Sequence, residues 1–257
     1  MARSHAQSGA AILAALLVVT LASVIVSGLY WREQVAVRSV QNRLALAQAR
    51  WIERAALDWA KVVLLSDLRL GAVDHPGEAW ALPVLETRLD ETVTGGARLD
   101  ENSRDAVLAG QITDAQARFN LTSLTSSPGQ VSLPHRDALR KLLLLLGRAE
   151  ATAESIVDRV LQSQTRVVEG THVPASRAPL LRVSDLLDVP GIDAGTVRAL
   201  EPFCIVLPRA TPVNINTASA EVIAALAPSV SLSAAQRFVA RRDRTFYRTL
   251  EQASQDF

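Results

Sequence analysis

The sequence predicts an α+β fold: a long N-terminal transmembrane helix, then a head that mixes short strands with several helices. Three observations lead there. Residues 10–31, AAILAALLVVTLASVIVSGLYW, carry no charge. Val37, Val40, Leu44, Ala47, Trp51, Ala55, Trp59 and Val62 then recur at spacings of three and four, which lines one face of an α-helix. Beyond residue 65, Gly, Pro and Asn divide the chain into short segments with alternating strand and helix patterns. Composition agrees with a globular head: 49% of residues are hydrophobic, 21% are charged and only 4% are aromatic, so collagenous and wholly disordered chains are excluded. With 27 Lys plus Arg against 26 Asp plus Glu, no global charge draws the chain to nucleic acid or acidic lipid.

The uncharged run is long enough to cross a bilayer, which takes about 20 residues of apolar helix. Thr20, Ser23, Ser27 and Gly28 are its weak points, and hydroxyls there can bond back to helix carbonyls. Tyr30 and Trp31 suit the far interface, and Arg3 and His5 before the run favour a cytoplasmic N-terminus. A cleaved secretory signal is the alternative, permitted by the small residues between Ala22 and Ser27. It expects a shorter apolar region and a break after it. Here no Pro occurs between residues 10 and 70, and Gly28 is the only glycine. One helix over residues 10–65, roughly 80 Å long at ~1.5 Å per residue, follows, with its second half packed on the head. A coiled coil is the rival for that half, but the stripe lacks clear flanking charge pairs.

Residues 70–78 and 92–103 read as loops. Residues 105–121 suggest two short strands around a turn, and residues 134–147 and 149–163 two helices. Leu142 to Leu146 are five consecutive leucines, which predicts burial on most sides. In residues 183–200, Asp185 and Asp193 are placed to start short helices around Pro190, Gly191 and Ile192. Cys204 lies in an apolar strand-like run and reads as an inert buried thiol. A second helix pair begins at VNINTA, residues 213–218, with Thr217 or Ser219 as the cap of the helix that follows.

Several of these segments resemble one family. A basic leader ending at Gly9, directly before the apolar helix, is similar to a type IV prepilin signal, whose peptidase cuts between Gly9 and Ala10. The fifth residue after that junction, commonly Glu in pilins, is Ala14, a pattern that implies a subunit at the tip rather than within a fibre. Asp114, Gln116, Arg118, Phe119 and Asn120 resemble the signature of the minor pseudopilin K family of type II secretion, with Ala117 in place of a usual Gly. Residues 213–218 are the most specific match, shared with the competence DNA receptor.

The resemblance implies a type IV pilin-like fold. Residues 1–9 are then the leader, 10–31 the transmembrane and 32–65 the periplasmic half of the helix. Residues 66–120 form a head with a small antiparallel sheet, 121–211 an inserted helical domain, and 212–257 a strand and a second helix-hairpin-helix-like unit. Members usually continue into a final strand with an aromatic pair, whereas this sequence ends at Phe257. The implied function is initiating or capping the periplasmic pseudopilus, from a single-pass anchor in the inner membrane with the head periplasmic. The implied partners are other minor pseudopilins, the major pseudopilin and the prepilin peptidase. Helices of other minor pseudopilins are expected on Val37, Val40, Leu44, Ala47 and Trp51.

No catalytic constellation is legible: the sequence has no P-loop, dinucleotide fingerprint or nucleophile motif, and His75, His135 and His172 read as exposed. No cofactor is expected, and no metal either, because Asp158 and Glu169 are far from the six to eight oxygens that calcium takes. The alternative function is a membrane-anchored DNA-binding protein of competence, resting on Arg237, Arg241, Arg242, Arg244 and Arg248 as a phosphate stripe. Against it, the hairpin loop at residues 227–231 lacks glycine and Asp193 replaces one in the first hairpin, so no nucleic acid partner is expected.

Overall fold

The computed structural model describes residues 7–88, 107–168 and 171–256. The loop read at residues 92–103 and Glu169 therefore lie outside the described residues. The chain divides into two compact units, residues 1–62 and 63–257.

In the first unit a single helix, α1 (Gln7–Leu70), begins and then runs on into the second. Without Pro, and with Gly28 the only glycine beyond the first turn, nothing in the sequence interrupts its hydrogen-bond ladder. Its stretch from Ala10 onwards is long and apolar enough to cross a membrane. The hydroxyls behave as the sequence suggests: Thr20 Oγ1 donates to Leu17 O at 2.9 Å and Ser23 Oγ to Val19 O at 2.8 Å. Gly9 and Ala10 fall in the first turn. Val37, Val40, Leu44, Ala47 and Trp51 are all exposed, Trp51 by 75%.

In the second unit, β1 (Val84–Arg88) pairs antiparallel with β2 (Val107–Gly110). β3 (Phe119–Asn120) is followed by a 3-10 turn, Leu121–Leu124, and by the ladder of β4 (Thr125–Ser127) with β5 (Gln130–Val131). Two helices come next, α2 (Leu133–Leu145) and α3 (Thr152–Gln162). A hairpin of β6 (Arg166–Val168) and β7 (Thr171–Val173) leads to a 3-10 turn, Val183–Asp188, and α4 (Ala194–Leu200). β8 (Cys204–Ile205) runs parallel to β3. The chain finishes with α5 (Ala220–Leu226), α6 (Leu232–Arg242) and α7 (Leu250–Ser254).

Among the described residues the strands form four two-stranded ladders, not one sheet. The strands expected around a turn in residues 105–121 exist but do not pair with each other. β2 joins β1, and β3 takes its partner from β8, more than eighty residues on. Alternation marks a half-buried strand but not its partner, and parallel pairing demands a long crossover. Both residues of β3 are buried, so this strand has no solvent face to alternate with.

The core is built from Phe119, Leu121 and Leu124 against α2, α3, the 3-10 turn at 183–188 and the last helices. Leu142 and Leu143 are fully buried, but Leu144 is 58% exposed. The four leucines within α2, Leu142 to Leu145, sweep about 300° around the axis, so a helix lying on a core must turn one of them outwards. At its end Gly147 adopts φ 66°, and the Arg148 amide donates to Leu143 O at 2.8 Å. That left-handed step closes the helix where other residues would be strained. Gly191, at φ 87°, makes the corresponding turn before α4.

Candidate functional site

The residues that the sequence singles out converge on the segment 213–218. Asp114 Oδ1 accepts from the Gln116 amide at 2.7 Å, while its Oδ2 accepts from Asn214 Nδ2 at 2.9 Å and Thr217 Oγ1 at 2.6 Å. Asn214 Nδ2 also donates to Asp74 O at 3.1 Å, and the Asn214 amide to Gln116 O at 2.9 Å. One carboxylate and one amide thus tie together the loop after α1, the turn before β3 and the entry to α5.

The other polar positions form a second layer. Asn216 is buried and clasps Tyr247 twice: its Nδ2 donates to Tyr247 O at 2.8 Å and its Oδ1 accepts the Tyr247 amide at 2.9 Å. Arg242 is buried too, and its Nη1 donates to Ile215 O at 2.9 Å and Ala218 O at 2.5 Å. Ser219, not Thr217, caps α5 by accepting from the Val222 amide. Tyr247 stacks on Phe238 at 4.8 Å and its hydroxyl bonds Asp256, and burial with that carboxylate pushes the phenol up to about 12. Asn120 accepts from the amides of Thr122 and Leu207 at 3.1 Å each and donates to Arg209 O at 2.8 Å. It binds the chain after β8 to β3.

This arrangement takes Arg242 out of the phosphate stripe, while Arg237, Arg241, Arg244 and Arg248 are exposed. Arg242 is consumed inside the molecule, Arg241 pairs with Asp256, and Arg248 lies over the Phe246 ring at 5.8 Å. The hairpin loop offers few amides: Pro228 has none, and those of Ala227 and Val230 donate to Ile223 O and Ala227 O. In the first hairpin Asp193 caps α4 by accepting from the Thr196 amide at 2.7 Å, and hydrogen bonding from the Thr196 side chain, then from that amide, holds its carboxyl below the usual range. Asp185 works from inside its turn rather than starting it, accepting from the Leu181 and Arg182 amides at 2.8 and 3.1 Å. Cys204 is buried and its thiol is pushed up to about 12 by burial, which leaves no thiolate for chemistry.

Two groupings were not legible in the sequence. His75, read as exposed, is half-buried and stacks on Phe246 with centroids 3.8 Å apart. His135 is half-buried beside Phe119 and pairs with Ser132 Oγ at 2.8 Å, and burial holds its pKa below the usual value. Only His172 of the three is exposed. Near His75, carboxylate oxygens of Asp67, Asp74 and Glu78 lie within 4.8 Å of one another. Glu78 already accepts from the His75 amide and Trp80 Nε1, both at 2.8 Å, and burial raises the Asp74 pKa. Three carboxylates are few for calcium. Nothing in the spacing of 67, 74 and 78, across a helix end and a loop, announces the cluster.

Residues 213–256 match the family model described as type II secretion system (T2SS), protein K, and residues 117–209 match a second model of that description. The type II secretion system protein K of Pseudomonas aeruginosa is 32% identical over 240 residues, spanning 86% of this chain and 68% of that protein. The chain belongs to the type II secretion system protein K family. Its function is that of a minor pseudopilin in type II secretion. The protein of the same description from Pectobacterium carotovorum subsp. carotovorum is 28% identical over 95% of the chain and 78% of its own length. The crystal structure of the GspK-GspI-GspJ complex from the enterotoxigenic Escherichia coli type 2 secretion system shares the fold. It aligns with a TM-score of 0.58 at 23% identity, covering 77% of this chain and 72% of that one.

The Asn216 clasp is open to test. Asn216→Asp keeps the size but sets an acceptor against the Tyr247 carbonyl. It is expected to destabilise the head by about 2–3 kcal/mol in chemical denaturation and to expose the Tyr247 amide to hydrogen exchange. Unchanged protection at that amide would show that the clasp does not hold the C-terminal segment.

Proposed function

We propose that this minor pseudopilin sits at the tip of the periplasmic pseudopilus and initiates or caps it. The observation that carries the reading is Ala14, an apolar residue at the fifth position after the Gly9–Ala10 junction. A carboxylate there, in lipid, is stable only when paired, and it is the natural partner for a neighbouring subunit's free amino terminus. A subunit without it lacks that attraction to a subunit ahead of it. Overproducing the protein is expected to shorten or abolish pseudopili of the major subunit, as seen by electron microscopy. Long fibres carrying it at regular intervals would contradict the tip position.

The same reading has the prepilin peptidase remove residues 1–9, leaving Ala10 as a methylated mature terminus on a helix anchored in the inner membrane with the head periplasmic. Its support is the junction directly before an uninterrupted apolar helix. Mass spectrometry of the purified protein should find a chain starting at Ala10. An intact leader, or a start after Ala22, counts against it.

Other minor pseudopilins are the proposed partners of the periplasmic half of α1. Support comes from the related complex, in which GspK assembles with GspI and GspJ, and from the exposure of Val37, Val40, Leu44, Ala47 and Trp51. A row of exposed apolar side chains on a helix in water calls for a cover. A buried aromatic anchor is worth about 2 kcal/mol or more. Trp51→Ala should therefore weaken co-purification of the complex by about tenfold or more. Unchanged binding with a less stable isolated chain would make the stripe intramolecular.

A further inference from the structure

Lys141, on α2, reaches the loop that joins α5 to α6. Its ammonium donates to three backbone carbonyls there: Ala227 at 3.0 Å, Pro228 at 3.1 Å and Val230 at 2.9 Å. An ammonium has three protons, so each finds one acceptor. The loop is shaped for this. The Ala227 and Val230 amides turn back to Ile223 O and Ala227 O, and Pro228 has no N–H, so the carbonyl oxygens are left converging on one point. The Ala227 oxygen lies at the C-terminal end of α5, where the helix dipole adds negative potential. Among the described residues no acidic side chain partners the Lys141 ammonium; its three acceptors are neutral carbonyls.

Converging neutral carbonyls are the kind of ligand with which proteins replace the hydration shell of a potassium ion, the three here replacing one side of that shell and leaving the rest to water, and ammonium and potassium are similar in size and charge. We propose that the 227–230 loop is a monovalent-cation cage whose resident cation is the protein's own Lys141 ammonium. The tethered charge stands where a free potassium or sodium ion would otherwise bind. It fixes the α5–α6 hairpin to α2 without depending on the ionic composition around the protein. Lys141 is a positioning residue for that hairpin, and the cage is a latent site for an alkali-metal ion.

The test uses the full chain in detergent, with thermal unfolding followed in potassium, sodium and choline chlorides at matched ionic strength. The wild type should unfold at the same temperature in all three. Lys141→Ala empties the cage. In choline chloride it should unfold roughly 3–12 °C below wild type, and it should recover at least half of that loss in potassium or sodium chloride. Lys141→Met fills the cage with a methyl group and should lose stability equally in every salt. The proposal is overturned if Lys141→Ala matches wild type in choline. It is overturned equally if that variant loses as much in all salts, as water filling the cage would cause. Failure of Lys141→Ala to fold in any salt also overturns it, because a cage able to hold a free cation would restore the fold. Recovery of Lys141→Met by potassium would place the salt effect elsewhere and overturn it too.

Discussion

Residues 213–218 pass through the head with their polar backbone facing inwards, and each of those groups costs stability if left without a partner. Arg242 meets that demand for Ile215 and Ala218 through one guanidinium nitrogen. The charge is buried, which is expensive, and its partners are the Asp243 carboxylate at 3.3 Å and two carbonyls that would otherwise be orphaned. Because Arg242 stands at the end of α6, the bond also fixes that helix against the entry to α5. Asn216 then fixes Tyr247, and Tyr247 stacks on Phe238 of the same helix. The last forty residues are organised around this segment.

The family's most specific motif is therefore structural. Asp114, Asn214, Asn216 and Thr217 resemble a reaction centre in their polarity, but each is spent on a neighbouring backbone or side chain. In this minor pseudopilin the polar chemistry of the segment holds a shape. The surfaces that remain for function are of another kind. They are the uncharged helix at residues 10–31, which suits lipid, and the exposed apolar row that follows it.

Local rules were reliable wherever one segment decides its own conformation. The uninterrupted α1, the caps at Asp193 and Ser219 and the left-handed turn at Gly191 all follow from the residues in place. They failed where a partner distant in sequence decides. His75 reads as a loop histidine until Phe246 is brought beneath it. Arg242 reads as one member of a basic stripe until the carbonyls of Ile215 and Ala218 reach it, and Leu144 as core until α2 is laid down with that side outwards.

The sequence by itself determined the periodic and the punctuated: a membrane-length helix, its apolar row, the helix starts and the family signature. These depend on contacts within a few residues, which hydrophobic spacing and cap chemistry encode directly. Only the tertiary structure decided that β3 pairs with β8, that Asp114 meets Thr217 and that Lys141 meets the 227–230 loop. Those partners are separated by about a hundred residues, and no periodicity carries information over that distance. What selects them is the shared need of buried polar groups for partners, which is settled only when the whole core closes.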